Sequence, residues 1–171
     1  MDVVAEGTTL KDLRQPPLNT TMMGVLKAAV DYHALKLEEP MVFGLSGHAF
    51  LINIHTELCP SGPYCWKRKN VEPLIENMGL RMTDLGFFDA TATEEARADV
   101  ERKLREALDK GIPCSLINLE NQIIRGYDGV QLLSVHPWPK HNNFPPATLS
   151  FDSWTEFGKK FHVNFYTLEK G

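Results

Sequence analysis

The stretch GIPCSLINLENQIIRGYDGVQLLSVHP, residues 111–137, decides the class of fold. It contains three apolar runs rich in β-branched residues, at 112–119, 122–127 and 130–135, separated by short polar breaks. The Asp128-Gly129 pair between the last two runs is typical of a tight hairpin turn. The pattern therefore predicts neighbouring antiparallel strands in this part of the chain.

Helical patterns come before these strands. Apolar residues over 22–37 recur at three- and four-residue steps, and Thr20 or Thr21 is placed to cap the helix that they predict. A second helix follows the capping sequence Thr91-Ala92-Thr93-Glu94 and ends at Lys110-Gly111. Helices followed by mainly antiparallel strands predict an α+β fold. Further elements are expected as strands over 49–55, 80–88 and 161–168, a short helix over 67–78 and one or two helical turns over 150–157.

Composition and charge exclude several classes of protein. The 171 residues carry 18 Lys plus Arg against 22 Asp plus Glu, a formal net charge of −4, which does not favour a nucleic-acid partner. No apolar run is long enough to cross a membrane, and the N-terminus lacks the pattern of a secretory signal. Three cysteines do not make a disulfide framework. We therefore expect a cytoplasmic protein without membrane or nucleic-acid partners, with an N-terminal arm over 1–17 and a single domain over 18–171.

Two local patterns carry weaker functional hypotheses. His48, His55, Cys59 and Cys65 could close a tetrahedral zinc site, but their spacing fits none of the tight zinc-knuckle patterns. The prediction is therefore no metal and no cofactor. The segment Gly44-Leu45-Ser46-Gly47-His48 is similar to a nucleophile elbow whose second glycine falls one place early, so we expect its glycines to turn the backbone ahead of a strand.

Several segments together resemble the papain-like domains of bacteria. The similarity is to the N-terminal domain of butirosin biosynthesis protein H and to the bacteriocin-leader cysteine peptidases, and it covers about residues 18–165. The segments that carry it are the helix ending Asp31-Tyr32-His33, the sequence EPMVFGLSG at 39–47, and Gly111-Ile112-Pro113 leading to Arg125-Gly126-Tyr127-Asp128. The resemblance implies a central helix packed on a mainly antiparallel sheet.

The catalytic positions of that family are substituted in this chain. In the family a cysteine opens the central helix, a histidine begins the strand before the Gly-Tyr-Asp turn, and an Asp or Asn follows the next strand. The corresponding places hold Thr21, then Glu120 or Asn121, and a residue near His136. Because a threonine hydroxyl is far from ionised at neutral pH, the thiol mechanism of the family does not carry over.

These positions can be interpreted in two ways. In the first, Thr21 caps its helix, Glu120 or Asn121 bonds a loop, and His136 belongs to a turn. In the second, the three places converge in a residual cleft at the positive end of a helix, with Trp138 beside them, and form a ligand site. A rearranged Thr–His–Glu triad is a further alternative.

The resemblance implies two classes of function. The leading hypothesis is a pseudoenzyme that binds a peptide, an acyl group or a small metabolite in the residual cleft. The alternative is an active cysteine-dependent acyltransferase or peptidase that draws its thiol from Cys59, Cys65 or Cys114, although Cys114 at a strand start is expected to be buried. The partners expected are a peptide, an acyl carrier or a small molecule, and a homodimer whose interface completes the site remains a further alternative.

Overall fold

One antiparallel sheet organises the part of the chain that the structure describes. The structure is a computed structural model, and it describes residues 7–52, 54, 56–57, 68–138 and 145–171, except the side chains of 68 and 69. The strands are β1 (Thr8–Thr9), β2 (Leu80–Asp89), β3 (Cys114–Asn118), β4 (Glu120–Tyr127), β5 (Gln131–Ser134), β6 (Thr148–Ser150) and β7 (His162–Lys170). The helices are α1 (Thr21–Tyr32), α2 (Glu39–Leu45), α3 (Arg68–Ile75) and α4 (Glu94–Asp109). The predicted α+β class is confirmed.

The strands are arranged in the order β2-β7-β3-β4-β5-β6. Every pairing between neighbours is antiparallel. β3 pairs with the first half of β4, and β1 pairs with its second half, at Thr8 opposite Tyr127 and Thr9 opposite Gly126. Strand β4 therefore joins the N-terminal segment to the central sheet.

The two longer helices pack on the sheet. α1 contacts β4, and α4 contacts β3, β4 and β7. α1 begins at a cap in which Thr20 Oγ1 accepts a hydrogen bond from the Met23 amide at 3.2 Å. Gly24, within α1, lets the Pro16 carbonyl approach closely, since a Cβ there would lie 2.7 Å from that oxygen. The segment before α1 is thereby held against the start of the helix.

The cap of α4 differs from the prediction in its detail. The Thr93 side chain accepts from the Ala96 amide, whereas Thr91 donates its hydroxyl proton to Asp89 at 2.6 Å. The helix ends as predicted, with Lys110 at its cap and Gly111 in the left-handed region at φ 74°.

The sequence around 39–55 folds differently from the expectation. Residues 39–45 form α2, which begins with Pro40 in its first turn. A single 3₁₀ turn, His48–Phe50, replaces the start of the strand predicted over 49–55, and no strand lies among the described residues of that range. For these described residues the strand prediction was wrong, since none of them pairs with a strand of the sheet. The helical turns predicted over 150–157 are one 3₁₀ turn, Thr155–Phe157.

Residues 7–17 lie along the sheet and contribute to the core. Leu10 and Leu13 are buried in the main apolar cluster, and the Leu10 amide donates to the Arg125 carbonyl at 2.7 Å. The side chain of Asp109 in α4 accepts hydrogen bonds from Thr8 and Tyr127, at 2.6 and 2.9 Å. This segment therefore ties α4 to β4.

No helix in the described ranges has both the length and the apolar content that crossing a membrane requires.

Candidate functional site

The first residue of α1 forms a polar cluster with the start of β4. Thr21 donates its hydroxyl proton to Glu120 Oε2 at 2.8 Å. The same hydroxyl oxygen accepts from the Asn121 backbone amide at 2.9 Å and from Asn121 Nδ2 at 3.3 Å. The structure thus brings together three of the residues that the sequence singled out. We call Thr21, Glu120 and Asn121 the Thr21 cluster.

The geometry of the Thr21 cluster follows from the hairpin of β3 and β4. Asn118 pairs with Glu120 across a turn whose tip is Leu119, so the first residues of β4 stand at the end of the sheet. Leu119 has a φ of 65°, a left-handed backbone that is costly for a branched side chain. The N-terminus of α1 meets this end of the hairpin, and the partial positive charge of the helix favours a carboxylate there.

A buried glutamine that the sequence analysis did not single out supports this arrangement. Gln15 Nε2 donates to the Asn121 carbonyl at 2.9 Å and to the Thr21 carbonyl at 3.3 Å. Its Oε1 accepts from the Ile123 amide at 2.8 Å. Gln15 therefore fixes the spacing between α1 and β4. The sequence gives no sign of this role, because Gln15 is a single polar residue before Pro16-Pro17 and belongs to no periodic pattern.

His136 and Trp138 follow the end of β5. The Val135 amide donates to the Ile123 carbonyl at 2.8 Å, which places His136 at the same end of the sheet as the first residues of β4. His136 Nδ1 accepts from the Trp138 amide at 3.2 Å. This local bond matches the turn that the sequence predicts, and the convergence of His136 with Thr21 stays a prediction.

A second buried glutamine anchors the chain on both sides of the His136 loop. Gln122 Nε2 donates to the Pro146 carbonyl at 2.6 Å and to the Val135 carbonyl at 3.1 Å. Ser134 donates to the same Pro146 carbonyl at 2.9 Å. The ends of this loop are therefore fixed to β4, directly beside the Thr21 cluster.

An open depression lies beside the N-terminal end of α1. Asn19, which precedes the cap of α1, lines it together with Glu39, Pro40 and Phe43 of α2. Its volume of about 450 Å³ falls within the range of small-molecule sites. We call it the α1–α2 depression. The amide, the carboxylate and the apolar surfaces of Pro40 and Phe43 offer both polar and apolar contacts.

Only one of the three cysteines lies in the described ranges. Cys114 is fully buried, and burial raises the pKa of its thiol far above the ordinary value. Its Sγ lies 3.6 Å from the Ile112 carbonyl oxygen. A thiol of this kind cannot supply a thiolate at neutral pH, so the expectation of a buried structural cysteine is confirmed. Cys59 and Cys65 lie outside the described residues.

Of the four residues in the zinc hypothesis, only His48 is described by the structure. The other three, His55, Cys59 and Cys65, lie outside the described residues. His48 begins the 3₁₀ turn after α2, packs its ring 5.2 Å from that of Phe43, and has its pKa lowered by burial. Within the ranges that the structure covers, no group of three or more His, Cys, Asp or Glu side chains is arranged to hold a metal ion.

Ser46 does not occupy a nucleophile elbow. Gly44 lies inside α2, and Ser46 forms its C-terminal cap. The buried Ser46 hydroxyl donates to the Phe43 carbonyl at 3.3 Å and contacts Met23 Sδ at 3.5 Å. Gly47 then turns the backbone at φ 75°. Gly47 therefore turns the chain, as predicted, but into a 3₁₀ turn, whereas Gly44 continues the helix and does not turn the backbone.

No family model, no curated protein and no solved structure matches this chain.

The Thr21 hydroxyl is expected to contribute to stability. In Thr21→Val the shape is retained, but the Asn121 amide loses its acceptor and Glu120 loses a donor. We expect the free energy of unfolding to fall by about 1–2 kcal/mol, measured by urea denaturation. The matched control is Thr9→Val, an exposed threonine on β1, which we expect to change stability by less than about 0.5 kcal/mol. Equal losses in the two variants would contradict a structural role for the cluster.

Proposed function

We propose that this chain is a papain-like domain that lacks cysteine-peptidase chemistry and binds a peptide, an acyl group or a small metabolite beside the N-terminus of α1. The observation that carries the proposal is the Thr21 cluster. At the residue where the resembled family has its nucleophile, a hydroxyl stands in for the thiol and a carboxylate stands in for the imidazole. The α1–α2 depression, which Asn19 lines two residues before Thr21, supplies room for a ligand.

The hydrogen bonds of Thr21 argue against a threonine nucleophile. A nucleophilic hydroxyl needs a base that takes its proton and a free lone pair that reaches the substrate. Thr21 is 5% exposed, and its oxygen already accepts from two nitrogens of Asn121. A carboxylate is in general a weaker base than an imidazole at neutral pH. These contacts favour a role for Thr21 in holding the N-terminal end of α1 against β4 over a role as a nucleophile.

The residues that line the α1–α2 depression support a binding role. Asn19 and Glu39 are exposed and can form hydrogen bonds, while Phe43 and Pro40 present apolar surface. A mixture of this kind suits a ligand with a polar group and a short apolar part, as peptides and acyl groups have. Because Gln15 and Gln122 fix both sides of the cluster, the site is largely formed before a ligand arrives.

Placing the cysteine and histidine of the resembled family at positions 21 and 120 tests whether these positions correspond to its catalytic pair. In Thr21→Cys alone, the neighbouring Glu120 carboxylate keeps the introduced thiol protonated. Adding Glu120→His places an imidazole within hydrogen-bond reach, which lowers the thiol pKa. We expect the double variant to react with iodoacetamide at position 21 at least about tenfold faster at neutral pH than the single variant, with rates mapped by mass spectrometry.

The control for this experiment is Thr21→Cys with Glu120→Gln, which removes the charge but adds no base. It is expected to react less than about threefold faster than the single variant. Equal rates for the histidine and glutamine double variants would contradict the papain-like relation of these positions. Unusually fast alkylation of Cys59 or Cys65 in the wild-type chain would instead favour the alternative, a cysteine-dependent acyltransferase or peptidase.

Ligand binding is tested directly with two probes. S-acetyl-N-acetylcysteamine represents an acyl carrier, and a mixture of casein-derived peptides represents a peptide ligand. We expect amide chemical-shift changes at Asn19, Thr21 and Glu120 with at least one probe, without release of thiol or cleavage of peptide. Turnover of either probe, or shift changes confined to other parts of the chain, would contradict the proposal.

A further inference from the structure

The two polar side chains that line the α1–α2 depression are available to a ligand. Asn19 and Glu39 are both exposed, and they lie in one cavity although they come from different elements. Within the part of the chain that the structure describes, no hydrogen bond or ion pair joins either side chain to another residue. A ligand can therefore bind the Asn19 amide and the Glu39 carboxylate without breaking an existing contact.

The charges around the depression favour a positively charged ligand. Glu38 immediately precedes α2 and Glu39 is its first residue, so two carboxylates stand at this end of the helix. A helix N-terminus carries about half a positive elementary charge, so the N-terminal ends of α1 and α2 together offset only about one of the two negative charges. The nearest basic residues in sequence, Arg14 and Lys36, form no ion pair with either glutamate. The carboxylate charge is therefore left for a ligand.

Phe43 adds an aromatic ring on the same side of α2 as Glu39. The two residues are four positions apart within one helix, so their side chains are neighbours on its surface. The Phe43 ring lies 5.2 Å from the ring of His48, is only partly buried and lines the depression. An ammonium group is attracted to the face of an aromatic ring. The ring and the carboxylate on α2 therefore favour the same kind of ligand group.

The remaining lining residues suit an ammonium group on an apolar stem. An ammonium group has three hydrogen-bond donors and no acceptor. The Glu39 carboxylate and the Asn19 amide oxygen are acceptors that can receive them. Pro40 presents apolar surface beside Glu39, and the methylene groups of a lysine side chain pack well on surface of this kind.

Other ligand classes fit the depression less well. An uncharged acyl group would cover the Glu39 carboxylate without giving it a partner, and removing an unpaired charge from water is costly. A ligand that carries a carboxylate would meet like charge at Glu38 and Glu39. A basic peptide avoids both costs.

We propose that the α1–α2 depression binds the side chain of a lysine residue in a peptide, and that its ammonium group is recognised by Glu39, Phe43 and Asn19. This inference rests on the proposed function, because it takes the same depression as the ligand site. It narrows the ligand from a peptide, an acyl group or a small metabolite to a basic peptide.

Two blocked tripeptides test the proposal. They carry lysine or norleucine between two alanines, with an acetylated N-terminus and an amidated C-terminus, so they differ only at the charged end of the central side chain. Each is titrated to about 10 mM, which reaches the weak end of binding affinities, while the amide chemical shifts of Asn19, Glu39 and Phe43 are followed. We expect the lysine peptide to bind at least about fivefold more tightly than the norleucine peptide. This advantage should shrink when the salt concentration is raised from about 0.05 to about 0.5 M.

A charge-removing variant assigns the preference to one residue. Glu39→Gln keeps the shape of the side chain, and we expect it to weaken binding of the lysine peptide at least about threefold and to leave the norleucine peptide unchanged. Glu95→Gln is the matched control, since Glu95 is also an exposed glutamate in the first turn of a helix. It should change the affinity of neither peptide.

The outcomes separate this inference from the proposed function. Equal affinities of the two peptides, or a lysine peptide whose affinity Glu39→Gln leaves unchanged, overturn the inference. If such peptides, or the acyl-carrier probe, still shift the amide signals of Asn19 and Phe43, the depression remains a ligand site and the proposed function is supported. If no probe shifts the signals of these residues, both are contradicted.

Discussion

Replacing Glu101 by alanine is expected to lower the free energy of unfolding by about 3 kcal/mol. Glu101 is a buried carboxylate on α4, 4% exposed. One of its oxygens, Oε1, accepts from Trp154 Nε1 at 2.6 Å and from the Asp152 amide at 2.9 Å. Without Glu101 the indole N–H of the fully buried Trp154 is left buried and unpaired, and the Asp152 amide loses its acceptor in the protein.

The loop that Glu101 holds is conformationally costly. Asp152 has a φ of 67° and Trp154 a φ of 51°, both in the left-handed region. Arg97 Nε donates to the Asp152 carbonyl at 2.6 Å, which is a second hydrogen bond between α4 and the loop. Trp154 packs against Phe88 and Phe165 at ring distances of 5.5 and 5.3 Å. Loss of the carboxylate therefore weakens the aromatic part of the core.

Glu101→Gln separates the charge from the hydrogen bonds. The amide oxygen can still accept from both donors, so we expect a loss of about 1 kcal/mol or less. Burial raises the pKa of Glu101 in the folded state above its unfolded value. The folded state therefore holds this proton more tightly. The stability that Glu101 contributes is fully present below the unfolded pKa, about 4.3, and falls as pH rises through the raised folded pKa.

Urea unfolding at several pH values measures both effects. The stability of the wild-type chain relative to Glu101→Gln should decrease as pH rises from about 4 and level off above the folded pKa. The Glu101→Ala variant should be destabilised over the whole range. A difference between wild type and Glu101→Gln that grows as pH rises would contradict the burial of an ionisable carboxylate at this position.

Gly126→Ala is expected to destabilise the chain by about 3 kcal/mol, because the added methyl group meets backbone instead of a side chain that can move. A Cβ at Gly126 would lie 2.1 Å from the Thr8 carbonyl oxygen and 2.9 Å from the Thr9 Cα. The alanine can be accommodated only if β1 moves away from β4. That movement also breaks the hydrogen bond from the Leu10 amide to the Arg125 carbonyl.

The matched control is the same change at another glycine. Gly44 lies inside α2, and a Cβ there would have no neighbour within 4 Å. Gly44→Ala should therefore stabilise the chain by about 0.5–1 kcal/mol through helix propensity. Hydrogen exchange should show faster exchange at the Leu10 amide in Gly126→Ala only. Unchanged protection of Leu10 in that variant would contradict the predicted detachment of β1.

Periodicity predicts the regular elements of this chain well. The apolar runs over 112–135 predicted β3, β4 and β5. The spacing over 22–37 predicted α1 with a cap at Thr20 or Thr21; the cap is Thr20, and the helix ends at Tyr32, five residues earlier than predicted. These patterns succeed because burial of apolar side chains determines both the element and its position, in β3 and β4 over consecutive residues. β1 was not foreseen, because two residues cannot show a period.

The errors have a common physical origin in tertiary context. The segment Ala49-Phe50-Leu51-Ile52 has strand composition, but strand propensity is expressed only where a neighbouring strand accepts the hydrogen bonds. α2 is short and contains Gly44, so its helical pattern is weak. Thr91 and Thr93 are both suited to capping, and only the structure distinguishes them.

The Thr21 cluster was found from the sequence only through the resemblance to a family. Thr21 and Glu120 are 99 residues apart, and no local pattern relates them. Gln15 and Gln122 were missed for the same reason, since a single buried glutamine carries no periodic signal. The position of His136 relative to Thr21 remains a prediction that the ligand-binding experiment tests through the neighbouring amides.

The position of β7 also has a consequence for biosynthesis. This strand, His162–Lys170, lies between β2 and β3, so it joins pieces of the sheet that come from residues far apart in the chain. Until the ribosome has released these residues, β2 has no neighbour to pair with. Pairing of β2 during translation must therefore wait for this strand, which makes the sheet depend on contacts between residues far apart in sequence.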